Sequence, residues 1–230
     1  HFIKCRMQGR LAPAILSGGV PSLVTEVSSG VVIIVFNAII MRLEGNVGVA
    51  AYGVIANLSL VIIAVYTGIA QGIQPVISRN YGAGNFRDIL ATLRYALITM
   101  LIFSVLIYTG VFFGASQIAA VFNSENNEML QSIATQGLRL YFLACPFAGF
   151  NVILSMYFTS TEQSNPANVI SLLRGFVVII PMAFLLSAVW KIQGVWCAFP
   201  ATELLVAAVG AVLFTVINNR KKHAQPRQPL

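Results

Sequence analysis

Charge is what this sequence has least of. Only 9% of its 230 residues are charged, with 14 Lys and Arg against 7 Asp and Glu, and Asp88 is its single aspartate. Soluble domains carry about a quarter charged residues. Here 57% of the residues are hydrophobic and the mean hydropathy is +0.82, more apolar surface than a fold of this length can hide inside one sphere. The solvent it is built for is lipid. One aspartate cannot make an aspartate pair, and the chain holds neither a GxSxG nor an HExxH stretch, so no catalytic residues and no enzyme are expected. Cysteine is scarce too: Cys5, Cys145 and Cys197 have no metal-ligand spacing and read as small packing residues. No metal is expected. The formal charge of +7 does not gather into the basic face that nucleic acid requires. Most Lys and Arg flank apolar runs instead, as loop charges of a membrane protein do, so no nucleic-acid partner is expected.

A spanning helix needs about 20 mostly apolar residues. Six windows meet that demand: residues 18–41, 48–77, 89–113, 132–160, 167–189 and 194–218. Barrel strands alternate apolar and polar over about ten residues, and even the β-branched run VVIIVF does not. The predicted fold is all-α, a polytopic membrane protein whose six-helix bundle occupies 18–218, between a flank (1–17) and a basic, disordered tail (219–230). Short loops make neighbouring helices antiparallel.

Six crossings put both ends on one side. That side collects Lys4, Arg6, Arg10, Arg79, Arg87, Arg94, Arg220, Lys221, Lys222 and Arg227, while the other has Arg42, Arg139 and Lys191, diluted by Glu44, Glu125 and Glu128. Positive loops favour the cytoplasm, so both termini of this segment are expected there, in a multi-pass protein of the inner (plasma) membrane. The chain opens on His1 with no signal-peptide pattern, and is expected to be a fragment of a longer protein.

Ionisable groups inside a bilayer are candidate sites by default. Glu26 is the strongest, lying about 8 residues, or roughly 12 Å, into the first span. Ser22, Thr25, Ser28 and Ser29 surround it, with no basic residue at helical spacing. Such a carboxylate can take up a proton or coordinate Na⁺ with neighbouring oxygens; the alternative is pairing with an Arg of another helix. Arg174 and Glu203, each about 12 to 14 Å deep from opposite faces, read as a buried ion pair, with proton relay as the alternative. Asn151, mid-span beside Pro146 and Gly149, Asn57 and Ser155 are polar points for a cavity or substrate, although interhelical hydrogen bonds explain most such residues. Tyr66, Phe142 and Phe150 are possible cavity aromatics for a cation. Met41, Met100, Met156 and Met182 could form a soft wall or face lipid.

One stretch concentrates the helix breakers: GIAQGIQPVISRNYGAG, residues 68–84. Pro75 removes a backbone hydrogen bond and is expected to kink or thin the helix, with Gln71 and Gln74 re-satisfying what it frees. Gly82 or Gly84 can take positive φ at a C-cap. The turn lacks the spacing of a phosphate loop, so no ATP site is expected.

The stretch QGIQPVISRNYGAGNF resembles the link between the second and third helices of a lobe in multidrug and toxic compound extrusion (MATE) transporters. NPANVISLLRGFVVIIPMAFLLS and GVWCAFPATELL resemble the last two helices of the C-terminal lobe, and PSLVTEVSSG the start of its seventh helix. The resemblance runs over residues 14–218. It implies one lobe of a two-lobed transporter, with a missing N-terminal lobe as partner, drug-like small molecules as substrates, membrane lipids around it, and no cofactor beyond H⁺ or Na⁺ as coupling ion. It implies that Glu26 couples the cation. Several relatives carry a second acid on the tenth helix, where GLRLYFLACPFAGFNVILSMYF has Tyr141, Asn151 and Ser155 but no carboxylate; that departure favours protons, or acids on the other lobe. The expected function is cation-coupled antiport of amphipathic, cationic compounds by alternating access. The alternatives are a lipid or polysaccharide-intermediate flippase of the same superfamily, which calls for several cavity Arg or Lys, and a non-transporting membrane scaffold.

Overall fold

The computed structural model describes the backbone of residues 12–224 and, within it, the side chains of Gly19, Leu23 and residues 26–219. Among the described residues there are helices and turns and no strand. The helices are α1 (Ala12–Gly82), α2 (Phe86–Phe122), α3 (Glu128–Tyr141), α4 (Cys145–Ser160), α5 (Ser164–Leu172) and α6 (Ile179–Ala224), with a 3₁₀ turn at Phe142–Ala144 and a π-helical turn at Leu173–Val177. Two of these elements are hairpins of two helices each. The backbone leaves helical dihedrals at Gly45 (φ 63°, ψ −153°) inside α1 and at Lys191 (φ 51°, ψ −129°) inside α6. The result is six spans: 12–44, 46–82, 86–122, 128–160, 164–190 and 192–224. Each contains one of the six predicted apolar windows, so the protein is a membrane helical bundle, as the composition demands.

The spans outrun the predicted windows. Helix begins at Ala12, inside the expected flank, and ends at Ala224, inside the expected tail; residues 1–11 and 225–230 lie outside the described residues. The dihedrals also stay helical through Pro75 to Gly82. The backbone accommodates Pro75, which lacks an N–H to donate, without leaving helical dihedrals; the departure inside α1 is at Gly45. The stop comes at Gly84, with φ 73°. Its N–H donates to the Tyr81 carbonyl at 3.1 Å and that of Asn85 to the Asn80 carbonyl at 2.9 Å, the paired bonds of a Schellman end.

The remaining turns are equally local. Asn127 caps α3 by accepting from the backbone N–H groups of Met129 and Leu130 at 3.0 and 3.1 Å. At the fifth-to-sixth turn, Gly194 lies so close to the Leu186 carbonyl that a Cβ would collide with it.

Packing sorts the spans into central and peripheral. In the fourth span 56% of the most apolar window is buried, against 22% in α2. The fourth span packs on α1, α2 and α6, and carries small residues, Ala144, Ala148 and Gly149, that bring backbones close. Phe36, Tyr52 and Trp196 form a stacked ladder with centroids 5.6 and 6.2 Å apart, joining the first, second and sixth spans.

Candidate functional site

The five spans other than α2 enclose an open cavity of about 630 Å³. Each presents a face at helical spacing. Glu26, Ser29 and Ile33 come from the first span; Tyr52, Ala56, Ser59, Ile63, Thr67, Gln71 and Gln74 run down the second; Val152, Ser155, Met156 and Thr159 stand on α4. Intervals of three and four residues place each set on one stripe. The fifth and sixth spans contribute Ser171, Arg174, Phe199 and Glu203. Tyr141 and Phe199 stack in the wall, their rings 4.6 Å apart and 9° from parallel.

The polar centre of this wall is Glu203, only 1% exposed. Arg174 grips its Oε1 twice, through Nη2 at 2.8 Å and Nε at 2.9 Å. The other oxygen, Oε2, accepts from Asn151 Nδ2 at 2.7 Å, and the same nitrogen donates to the Glu203 backbone carbonyl at 2.9 Å. Three spans thus meet on one carboxylate. Arg174 sits in the π-helical turn, closed by a bond from the Val178 N–H to the Leu173 carbonyl at 3.0 Å. A single wide turn of this kind is frequent at functional sites. Here it lets one residue of the fifth span face Glu203 while the helix continues on either side.

Glu26 is different. It is exposed at the cavity wall and makes no hydrogen bond or ion pair with any described residue, and the Arg174–Glu203 contact is the one ion pair among those residues. Ser28 and Ser29 line the cavity beside it; the side chains of Ser22 and Thr25 lie outside the described set. A carboxylate beside hydroxyls and facing an open cavity has the chemistry to accept a proton or a small cation.

Several expected cavity residues lie elsewhere. Tyr66 is fully buried in the core, its hydroxyl 2.9 Å from Ser104 Oγ. In a medium without water a hydroxyl must find a protein partner, and Tyr66 finds it on α2. Asn57 does not line the cavity; its Nδ2 donates to the Gly53 carbonyl of its own helix at 2.8 Å. Asn151 is wholly buried behind the wall as the support of Glu203, with its Oδ1 unpartnered among the described residues. Phe142 and Phe150 pack in the core, and Met100 is buried against Gly149. Ser155, Gln74 and Met156 do line the cavity. Pro75 and Gly82 are exposed at the end of α1. Tyr52 and Phe199 were not anticipated. The signal that finds Tyr52 is the run 52, 56, 59, 63, 67, 71, 74, a stripe of Tyr, small and polar residues on an otherwise greasy helix.

Comparison with known proteins places this arrangement. The MatE family model matches residues 21–185. The FAD transporter of Shewanella oneidensis is 27% identical over 177 residues, covering 74% of this chain and 38% of that protein. Multidrug export protein MepA of Staphylococcus aureus is 22% identical over 204 residues, covering 88% and 44%. Among solved structures, an outward-facing multidrug resistance MATE family transporter superposes with a TM-score of 0.87 at 18% identity, over 96% of this chain and 50% of that one. A MOP superfamily transporter from Pyrococcus furiosus, described as having a binding pocket of reverse polarity, gives 0.82 at 19%, over 90% and 47%. The structural likeness shows the fold. The chain spans half or less of the length of these proteins. With well over half of its 230 residues inside the family model, the chain belongs to the MatE family, the transporters its sequence resembles.

Proposed function

We propose that this chain is the C-terminal half of a cation-coupled antiporter that exports amphipathic, cationic compounds by alternating access. A second six-helix lobe would close the open side of the cavity. The observation that carries this reading is Glu26, an acid with no partner among the described residues, on the wall of a cavity inside a membrane bundle. Binding a proton or Na⁺ there would shift the balance between two packings by the difference in the ion's affinity for them. The charges support a cationic cargo: two acids and one base, Glu26, Glu203 and Arg174, stand among the lining residues, which leaves one negative charge over. An anionic dinucleotide such as FAD, the compound in one relative's name, would meet a single guanidinium already committed to Glu203. A pyrophosphate-bearing lipid intermediate meets the same obstacle. The excess of basic residues at the Arg79–Arg94 end supports a cytoplasmic location for both termini.

The test is efflux from vesicles holding the full-length protein, under an imposed pH or Na⁺ gradient. Glu26→Gln is expected to abolish gradient-driven export of a cationic dye while leaving its binding within a few-fold. Coupled efflux at the wild-type rate would remove Glu26 from the mechanism.

A further inference from the structure

The outer face of the bundle carries a second cavity, away from the transport wall. It is an open apolar groove of about 500 Å³ on α2, lined by Leu90, Leu97 and Leu101 among others, with Phe214 of the sixth span on its far side and Arg94 as its one charged residue. From Leu90 to Leu101 it rises about 16 Å at 1.5 Å per residue, close to half of the roughly 30 Å hydrocarbon core of a bilayer. It has the length of one leaflet.

The charges at its end fit that scale. Arg94 is exposed, and Arg87, seven residues earlier, falls on the same side of the helix. Neither makes a hydrogen bond or ion pair with any described residue. The nearby acid, Asp88, is about 120° away around the helix and accepts from Asn85 Nδ2. Two guanidiniums without a partner among the described residues, Arg87 beyond the Leu90 end of the trough and Arg94 one turn inside it, complement one kind of molecule: a negative head on a long apolar tail. The face is open to it, since α2 contributes nothing to the transport cavity and its most apolar window is the least buried among those of the four long continuous helices.

We infer that this groove is a binding site for one anionic phospholipid of the leaflet on the Arg79–Arg94 side, with an acyl chain against Leu97 and Leu101 and the phosphate on Arg94 and Arg87. A zwitterionic lipid would fill the same trough but gain less, because each Arg near the surface adds about fivefold in affinity for an anionic head. The site does not depend on what the central cavity carries.

Native mass spectrometry of the delipidated full-length protein, titrated with phosphatidylglycerol or phosphatidylcholine of matched chains, tests it. The first phosphatidylglycerol is expected to bind at least fivefold more tightly than the first phosphatidylcholine. Arg94→Gln is expected to erase most of that preference and Arg94→Lys to keep it, while Leu97→Trp, which fills the trough, weakens the first binding of both lipids. Equal binding of the two lipids to the wild type, or an undiminished preference in Arg94→Gln, overturns the proposal. Recovery of Arg94→Gln as folded, monodisperse protein separates a lost site from a lost fold.

Discussion

Glu26 and Glu203 line the same cavity, from the first and sixth spans, yet among the described residues only Glu203 has a partner. Glu203 is 1% exposed and held by two bonds from Arg174 and two from Asn151, one of these to its own backbone carbonyl. Glu26 is exposed and touches no donor among the described residues. A buried carboxylate is tolerated only when paired and hydrogen-bonded, since desolvating it otherwise costs several kcal/mol. One at a water-accessible wall has no such debt. The packing therefore depends on Glu203, and the ion exchange proposed above falls to Glu26. The resemblance points to Glu26 and depth within the span to Glu203; the partners tell their roles apart.

The largest effect expected from this contrast comes from breaking the clasp. Arg174→Met leaves Glu203 buried without its counter-charge, and removing one member of a buried pair costs about 3–5 kcal/mol. Thermal unfolding of the full-length protein in detergent is the measurement. The double variant Arg174→Met with Glu203→Leu is expected to regain most of the loss, because replacing both members by packed apolar groups is often neutral. Wild-type melting of the single variant would mean that the pair contributes no stability and that the division of roles between the two acids is wrong.

How much of this was legible beforehand follows the strength of each local rule. All six spans could be read, because 20 apolar residues in a row have few other fates. The stop at Gly84 could be read as one of two glycines. Glu26 stood out by lacking a basic residue at helical spacing, and Arg174 and Glu203 by counting depth. Three things escaped. Pro75 was expected to kink or thin the helix, yet the dihedrals on either side of it stay helical, a tolerance that the proline itself does not announce. The π-helical turn at Leu173–Val177 has no sequence signature beyond a glycine, and without it the approach of Arg174 cannot be drawn. Tyr66 and Asn151 were read as facing the cavity because polarity in a greasy helix says that a partner exists, not where it lies. For Tyr66 the partner is Ser104, 38 residues on; for Asn151 it is Glu203, 52 residues on. Such pairings are set by how the helices pack, which periodicity within one helix does not contain.

A sharper version of the contrast uses Asn151. Asn151→Ala removes a hydrogen bond to an ionised oxygen, an interaction of about 1.5–3 kcal/mol. In the double variant that lacks both Arg174 and Glu203 charges, the same substitution is expected to cost distinctly less, and the difference measures its coupling to the carboxylate. Equal costs in the two backgrounds would show that Asn151 acts as packing alone.

The smallest expected effect is the most telling about Glu26. Glu26→Gln changes no hydrogen bond or ion pair among the described residues, and exposed substitutions away from such features usually fall within about 0.5 kcal/mol. Its melting temperature is therefore expected to match the wild type, in the same preparation that has lost gradient-driven efflux. Stability and transport would then separate at one residue, which Arg174→Met cannot achieve, because any transport defect there arrives with a damaged fold. If Glu26→Gln instead unfolds several kcal/mol more easily, the acid has a partner in the assembled protein, on the second lobe or among the side chains near its own N-terminal end. Glu26 would then join Glu203 as a structural charge, and the ion-binding role would have to be sought outside this chain.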